Sequence, residues 1–521
     1  MPPSSSTSSN STSSTSTTTR VSYNDMLRRR FYFLVLATIF VLYHVNYSKN
    51  MVYNNNNYYK CNGQDQAIQP TTILRSSTTS DTTMTSNSKS SAKNKHNKYP
   101  TDDGNIVGIL SELSSQNDGD DEFFQTLRDK IDYANNYERC ERYGWKYTGP
   151  TQEELGPNRL PPILRKIYFG SLIANEPWEL FEIVAAETYG IYEGIVFVES
   201  NRTQNLTPRN TTRLQHTSTF QKLFNTSNIQ VRHYVNEDKR VKDLEREHAQ
   251  RDDILKGWRD IGMKREDIGI LGDADECQTR DFLRALQFCT EIDSLNYSKV
   301  SCLGKKMGIR GRGQVYESSP ECITDKRSHW RPLIYIGHCI QYIGDTTKHI
   351  IPKYNGRNRV TGYGSNLNLT LTNGSIPIMT AKDFRTFVDG DYPEIKQIGY
   401  GVNTGYHFHN FFTSIESLRH KYYTYGHPQK SALNVTLEEL ANDLSVAAYC
   451  ARNVPDPKGA KWKRVIGGYD VLPPFRPIYF HDPIYRKKRH EYLIQLMKQE
   501  DERIALEEKL ASYANKDSAD S

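Results

Sequence analysis

The stretch IGILGDADE, residues 268–276, is a short apolar run that ends in three acidic side chains. Such a run predicts a buried strand, with Asp273 and Asp275 at its carboxyl end. Side chains alternate along a strand, so both aspartates are expected to project to the same side. Paired carboxylates suit Mn²⁺ or Mg²⁺, and a divalent ion can hold the diphosphate of a sugar nucleotide. Acidic triplets also occur in solvated turns, so the choice depends on the surrounding sequence.

Strand and helix patterns alternate on both sides of this stretch. The apolar patterns predict strands at 163–169, 191–199, 229–235 and 268–271, and helices from 177, over 240–261 and over 279–289. This order indicates an α/β domain with a mostly parallel sheet. Such sheets bind ligands beyond the carboxyl ends of their strands, where Glu199 and the acidic cluster both lie. Glu199 is therefore a candidate nucleotide ligand; the alternatives are a helix cap or a partner of an arginine.

The N-terminal region has the composition of a membrane-anchored protein. Residues 1–30 are rich in Ser and Thr and are predicted to be a disordered cytosolic tail. Three arginines precede an apolar segment, residues 31–47, which is predicted to be a transmembrane signal anchor. A cleaved signal peptide is the rival interpretation, but 30 preceding residues are long for one. Residues 48–130, rich in Asn, Ser and Thr, are predicted to be a flexible luminal stem.

The remaining chain is divided by composition into a main domain and a tail. Residues 131–485 are predicted to form the main domain, and residues 486–521 a charged helical C-terminal tail. The basic run Arg486–Arg489 opens this tail and is expected to be a solvated face. A formal net charge of +6 over 521 residues is too small a bias to indicate nucleic-acid binding.

Cysteine usage agrees with an oxidising compartment. No CxxC pair occurs among the eight cysteines, which argues against a zinc ribbon or a thioredoxin-like site. The cysteines beyond residue 130 are candidates for disulfides whose pairing the sequence leaves open; they are residues 140, 277, 289, 302, 322, 339 and 450. Cys61 in the predicted stem is a candidate for a disulfide-linked dimer, and the alternative is an unpaired thiol.

Several segments resemble glycosyltransferase family 17 in order and spacing. They are RKIYFGSLIANEPWELFEIVAAETYG, IYEGIVFVESNRT, the helix with Glu247 and Arg251, DIGILGDADE and GYHFHNFF. The family includes β-1,4-mannosyl-glycoprotein 4-β-N-acetylglucosaminyltransferases, and the resemblance spans roughly residues 160–480. It implies a GT-A type domain, luminal in the Golgi, that uses UDP-N-acetylglucosamine (UDP-GlcNAc) and a divalent metal and inverts the anomeric centre.

The resemblance also implies roles for individual residues. The implied metal ligands are Asp273, Asp275 and His407, and the implied donor-binding residues are Glu199, Glu247, Arg251 and Asp273. Each has a structural alternative. Arg251 lies on a helix rich in acidic residues and could simply be salt-bridged. An isolated histidine is more often an ordinary core or surface residue than a ligand.

An inverting transfer needs a carboxylate that takes the proton of the acceptor hydroxyl. Glu276 is one candidate because it adjoins the metal cluster. Asp389 and Asp391 are others, since they lie in a Gly-containing loop before Tyr392-Pro393 that could line an acceptor cleft. The residues alone do not choose among the three.

The function expected from sequence is that of a type II Golgi membrane enzyme. It would transfer N-acetylglucosamine from UDP-GlcNAc to a mannose of a glycoprotein N-glycan. Cys277-Gln278 stand where the family usually has Ile-Pro, and Tyr406 replaces its Trp, so the acceptor is left open. The competing functions are a metal-dependent phosphohydrolase or nucleotidyltransferase, and a non-catalytic, membrane-tethered carbohydrate-binding protein.

Overall fold

A computed structural model describes most of the chain beyond residue 117. The described residues are 118–238, 240–241, 243–292, 313–324, 333–344, 349–350, 376–377, 380–381, 403–425, 428–440, 442–454, 462–464 and 476–519. The predicted tail, anchor and most of the stem lie outside them, as do Cys61, Asp389 and Asp391. Within these ranges, no helix is both long enough and apolar enough to cross a bilayer.

A largely parallel sheet forms the first part of the domain. Its strands are β1 (Ile167–Ile173), β2 (Gly194–Ser200), β3 (Ile229–Tyr234), β4 (Ile268–Asp273) and β8 (Leu333–Ile336). They are ordered β3-β2-β1-β4-β8; β1 to β4 run parallel, and β8 adds an antiparallel edge. Strand β2 is buried along its whole length, which explains why residues 195–198 are continuously apolar and not alternating.

The helices of this part are α1 (Asp118–Asp132), α2 (Asn136–Arg142), α3 (Gln152–Leu155), α4 (Trp178–Thr188), α5 (Thr217–Phe224), α6 (Asp243–Asp260) and α7 (Arg280–Phe288). Helix α6 packs on the sheet through Ile254 and Trp258, both fully buried. The Trp258 indole N–H donates to the Phe169 carbonyl of β1 at 2.9 Å. These contacts fix the helix that carries Glu247 and Arg251.

The predicted α/β domain with a mostly parallel sheet is confirmed for this sheet, with two differences. The first strand begins at Ile167, four residues after the predicted start. Helix α5 was not predicted, although a parallel β2–β3 pair requires a crossover connection. Its eight residues are too few for a clear helical period in the sequence.

A second sheet, not predicted from sequence, is mixed. Its strands are β5 (Glu276–Gln278), β6 (Gly313–Glu317), β7 (Cys322–Thr324), β11 (Gly405–His409) and β12 (Trp462–Arg464), in the order β12-β7-β6-β11-β5. Strands β11 and β6 are parallel and the other pairs are antiparallel. A separate short pair joins β9 (His349–Ile350) to β10 (Ile376–Pro377). A single mostly parallel sheet was therefore an incomplete description.

The C-terminal part adds α8 (Ile415–Thr424), α9 (Asn442–Arg452) and α10 (Pro483–Ala519). Across the described residues, 3-10 helices lie at Arg213–His216, Gly337–Cys339, Lys430–Leu433 and Ile478–His481. Helix α10 packs through Leu493, Leu496 and Met497 against α8 and α9. Arg489 is buried and donates to the Ser318 and Phe412 carbonyls, so the basic run is not the uniformly solvated face expected from sequence.

Ordered structure also reaches into the segment predicted to be a stem. Helix α1 covers residues 118–132, and its Leu127 and Ile131 are buried against Ile478. The folded domain therefore extends to the N-terminal side of residue 131.

Disulfides connect distant parts of the fold. Cys140 pairs with Cys289, and Cys322 pairs with Cys450, over sequence separations of 149 and 128 residues. Cys277 is a buried free thiol. Closing such long loops is expected to stabilise the folded chain by restricting the unfolded one.

The closest approach of β1 to α6 predicts a destabilising substitution. In Gly170→Ala the new methyl group would overlap Ile254 and lie 3.0 Å from Trp258 Cζ2. We expect overpacking to lower the free energy of unfolding by about 1–3 kcal/mol, measured by urea denaturation. In a double-mutant cycle, Ile254→Ala should relieve most of the cost of Gly170→Ala. If Gly170→Ala lowered the free energy of unfolding equally in the wild type and in Ile254→Ala, the predicted clash between residue 170 and Ile254 would be contradicted.

A buried glutamate predicts a pH dependence of stability. Glu187 of α4 accepts the backbone N–H groups of Arg280 and Ile478, and burial raises the pKa of its carboxyl to about 7 despite these donors. The folded state then holds the proton more tightly than the unfolded state. The contribution of Glu187 to the free energy of unfolding is fully present below the ordinary glutamate pKa of about 4.5 and is lost as the pH rises through 7.

We therefore expect Glu187→Gln to flatten the fall in unfolding free energy between pH 5 and pH 7.5, by about 1 kcal/mol per pH unit or less. Denaturant titrations at several pH values measure this slope. Glu193→Gln, at an exposed position, is the control and should leave the slope unchanged. Parallel slopes for the wild type and Glu187→Gln would contradict the prediction.

Candidate functional site

The acidic residues predicted from sequence lie at the carboxyl edge of the parallel sheet. Leu172 of β1 is in register with Asp273 of β4, and Ile173 is in register with Glu199 of β2. Strand β1 thus separates the two acidic positions by one strand. Their common edge, which the strand order predicts, is confirmed.

The acidic cluster forms the crossing from the first sheet to the second. Strand β4 ends at Asp273, Ala274 and Asp275 form a turn, and β5 begins at Glu276. The Asp273 backbone N–H donates to the Glu276 carboxylate at 3.0 Å, and Glu276 is buried. Because the strand stops at Asp273, strand alternation does not set the direction of Asp275, and the expectation that both aspartates share a strand face is wrong.

Strand β11 brings His407 to this turn. Its His407 is in register with Glu276 of β5, and the Phe408 N–H donates to the Asp275 carbonyl at 2.8 Å. The His407 Nε2 then lies 3.5 Å from Asp275 Oδ2. Two of the predicted metal ligands, more than 130 positions apart in sequence, are therefore neighbours; their metal role stays a prediction.

Asp275 lies in a cationic environment. Burial raises the pKa of its carboxyl, but attraction and hydrogen bonding by His407, together with attraction by Lys421, outweigh burial and hold the pKa well below its usual range. Lys421 of α8 places its Nζ 3.8 Å from Asp275 Oδ2. The carboxylate is therefore ionised at neutral pH and can bind a cation.

Asp273 faces a different element. Arg251 of α6 contacts Asp273 Oδ1 through Nη2 at 2.6 Å and pairs with Glu247 through Nη1. Gln204, from the loop after β2, donates to the second Glu247 oxygen at 2.9 Å. The side chain of Arg251 is 2 % exposed, whereas the side chain of Asp273 is 37 % exposed. Arg251 is thus an internal counter-ion of two carboxylates, which is the salt-bridged alternative; its contact with donor phosphates stays a prediction.

Glu199 has local backbone partners. Its carboxylate accepts the N–H groups of Thr212 and Arg213 at 3.1 and 2.9 Å, at the start of the 3-10 helix Arg213–His216, and it is buried. This is the helix-cap arrangement. A contact with uridine or ribose stays a prediction for this residue.

The chemistry of the donor set permits a cation at Asp275. In the described part of the chain, no three His, Cys, Asp or Glu side chains converge as a complete metal-binding group. Mg²⁺-like ions, however, are commonly bound by one or two protein carboxylates together with substrate phosphates and water. Asp275 with His407 fits such a partial ligand set, whereas Asp273 is engaged by Arg251.

Sequence reasoning missed Lys421. It lies in IESLRHKYYT, whose apolar positions account for an ordinary packed helix. No motif distinguishes this lysine from others in the chain. Its importance comes only from the position of α8 beside the acidic turn.

The part of the chain that contains β1 to β4 and the acidic turn also matches a known family. Residues 118–300 match the family model of glycosyltransferase family 17. Over these residues the chain is similar to that family. No curated protein matches the chain. The match supports a glycosyltransferase, and the matched residues include the acidic turn and Arg251. His407 and Lys421 lie beyond them.

The Glu247–Arg251–Asp273 cluster predicts a stability effect. Arg251→Met would leave two neighbouring carboxylates without their shared cation, and we expect the free energy of unfolding to fall by about 2 kcal/mol. The value is smaller than for a fully buried pair because Asp273 is partly exposed. Urea denaturation of the full-length glycosyltransferase measures it.

Arg240→Met is the matched control. Arg240 pairs with Asp238 at 2.8 Å, but its side chain is 90 % exposed, so its loss should leave the free energy of unfolding indistinguishable from that of the wild type. Equal effects of the two substitutions would show that Arg251 is not the internal counter-ion inferred from the geometry.

Proposed function

We propose that the protein is a metal-dependent, inverting transferase. It moves N-acetylglucosamine from UDP-GlcNAc to a mannose of a glycoprotein N-glycan. The family domain supports sugar transfer, and the β-1,4-mannosyl-glycoprotein class within the family supports this donor and acceptor. The proposal depends most on one observation, the Asp275 carboxylate held beside His407 at the crossing between the two sheets.

In this proposal Asp275 and His407 would hold Mn²⁺ or Mg²⁺, with Asp273 as a further ligand, directly or through water. When bound, the ion neutralises negative charge that develops on the departing nucleotide diphosphate. The backbone bond from Phe408 to Asp275 and the pairing of β5 with β11 fix both ligands before the donor arrives. Such preorganisation reduces the rearrangement needed during the reaction.

The acceptor hydroxyl attacks the anomeric carbon from the face opposite the leaving diphosphate, and a carboxylate takes its proton. Glu276, Asp389 and Asp391 remain the candidates for this base. Glu276 is buried and holds the Asp273 N–H, which favours a role in shaping the turn. Asp389 and Asp391 lie outside the described residues.

The cellular setting belongs to the same proposal. Residues 31–47 anchor the enzyme in the Golgi membrane as a single-pass type II protein, with the catalytic domain in the lumen. The disulfides Cys140–Cys289 and Cys322–Cys450 are consistent with an oxidising compartment. Cys61 remains a candidate for a link between two chains.

The decisive assay incubates the full-length chain with UDP-sugars, Mn²⁺ and defined mannose-containing N-glycans. The expected product gains one N-acetylhexosamine by mass spectrometry, and a chelator abolishes its formation. Asp275→Asn should lower the rate about 10²-fold or more, the usual cost of removing a group that stabilises developing charge.

Asp260→Asn is the control because Asp260 pairs with Arg232 and Arg259 at the far end of α6. It should retain the wild-type rate. A product that forms equally with and without the chelator would contradict the metal-dependent proposal. Equal activity of Asp275→Asn and Asp260→Asn would contradict the role of Asp275.

A further inference from the structure

Lys421 reaches the candidate site from the last turn of α8. Its helix starts at a capping box formed by Ser414 and Ser417 and is anchored by the buried side chains Ile415, Leu418 and Tyr422. These contacts position the helix without help from Lys421. The lysine side chain is 48 % exposed, and its Nζ lies 3.8 Å from the carboxylate of Asp275, which is 16 % exposed. A partly solvated ammonium group therefore stands at the rim of a more enclosed carboxylate.

This position has little value for the stability of the fold. Ion pairs with one half-exposed member contribute little to stability because water screens them and because ordering the long side chain costs entropy. Asp275 also has His407 as a second partner, and its backbone is held by Phe408. The placement of Lys421 is thus better explained by a ligand than by folding.

The other cation beside the acidic turn is placed differently. Arg251 is almost fully buried, and two carboxylates, Glu247 and Asp273, occupy its terminal nitrogens. Its charge is balanced inside the protein. Lys421 instead faces solvent with a flexible stem and three N–H donors, which suits it to follow an anionic group that arrives from solution.

We propose that Lys421 binds a phosphate oxygen of the nucleotide diphosphate in the sugar donor. The inference rests on the proposed function of the same site and adds a donor-binding residue to it. A diphosphate placed beside Asp275 brings its negative charge close to the carboxylate oxygens, which repel it. The ammonium group offsets this repulsion because it is within reach of both anions.

The proposal makes a selective prediction about ligands. Lys421 should contribute to binding of UDP, which carries the diphosphate, and not to binding of uridine, which lacks it. Lys421→Met removes the charge and keeps much of the stem. Lys421→Arg keeps the charge. Lys487→Met is the matched control, because Lys487 is 78 % exposed on α10 and pairs only loosely with Glu491 at 4.0 Å.

Isothermal titration calorimetry on the full-length chain with Mn²⁺ measures the dissociation constants for UDP and uridine. We expect Lys421→Met to weaken UDP binding about tenfold, in the range of a lost charge-assisted hydrogen bond, and to change uridine binding less than about twofold. The dissociation constant of Lys421→Arg for UDP should stay within about threefold of the wild-type value, because the charge is kept. Lys487→Met should bind UDP as the wild type does. Melting temperatures of all variants check that the fold is intact.

The outcomes separate this inference from the proposed function. If Lys421→Met binds UDP as tightly as the wild type does, the role of Lys421 is overturned and the proposed function still stands. Equal weakening of UDP and uridine also overturns it, since the side chain would then act through the fold. A wild-type chain that binds no UDP in the presence of Mn²⁺ overturns both.

Discussion

The pairing of β5 with β11 is the constraint on which the candidate site depends. Asp275 lies in the turn where the chain leaves the parallel sheet, and a turn alone would leave its direction open. The Phe408 N–H bond to the Asp275 carbonyl fixes the turn, and the strand register places His407 beside the carboxylate. The site is therefore made by joining two sheets, and neither sheet alone provides it.

The two aspartates of the cluster have separate electrostatic tasks. Asp273 is tied to α6 through Arg251, a cation that it shares with Glu247. Asp275 is the more enclosed of the two and contacts His407 and the half-exposed Lys421, the side chains through which the proposed site would receive its ligands. Arg251 thus braces the turn, while Asp275 and Lys421 form its ligand-facing side. This division follows from the end of β4 at Asp273, which turns consecutive acidic residues towards different elements.

The sequence predicts the parts of this fold that local patterns encode. Apolar runs identify β2 and β4, and the parallel topology then places Glu199 and Asp273 at one edge. The second sheet escapes prediction because strands of three to five residues carry little periodicity and pair across long separations. His407 was found through family resemblance, and Lys421 not at all, because only tertiary packing brings α8 to the acidic turn. For Glu199, the sequence leaves open a helix cap or an arginine partner as structural roles, and only the backbone geometry shows the cap.

The most direct test of the account is a crystal structure of the full-length chain with UDP and Mn²⁺, with anomalous data that locate the manganese. The account predicts an anomalous peak in coordination distance of the Asp275 carboxylate and His407, with the diphosphate oxygens on the same ion. A manganese peak bound elsewhere, or a diphosphate seated away from the crossing between the sheets, would contradict it.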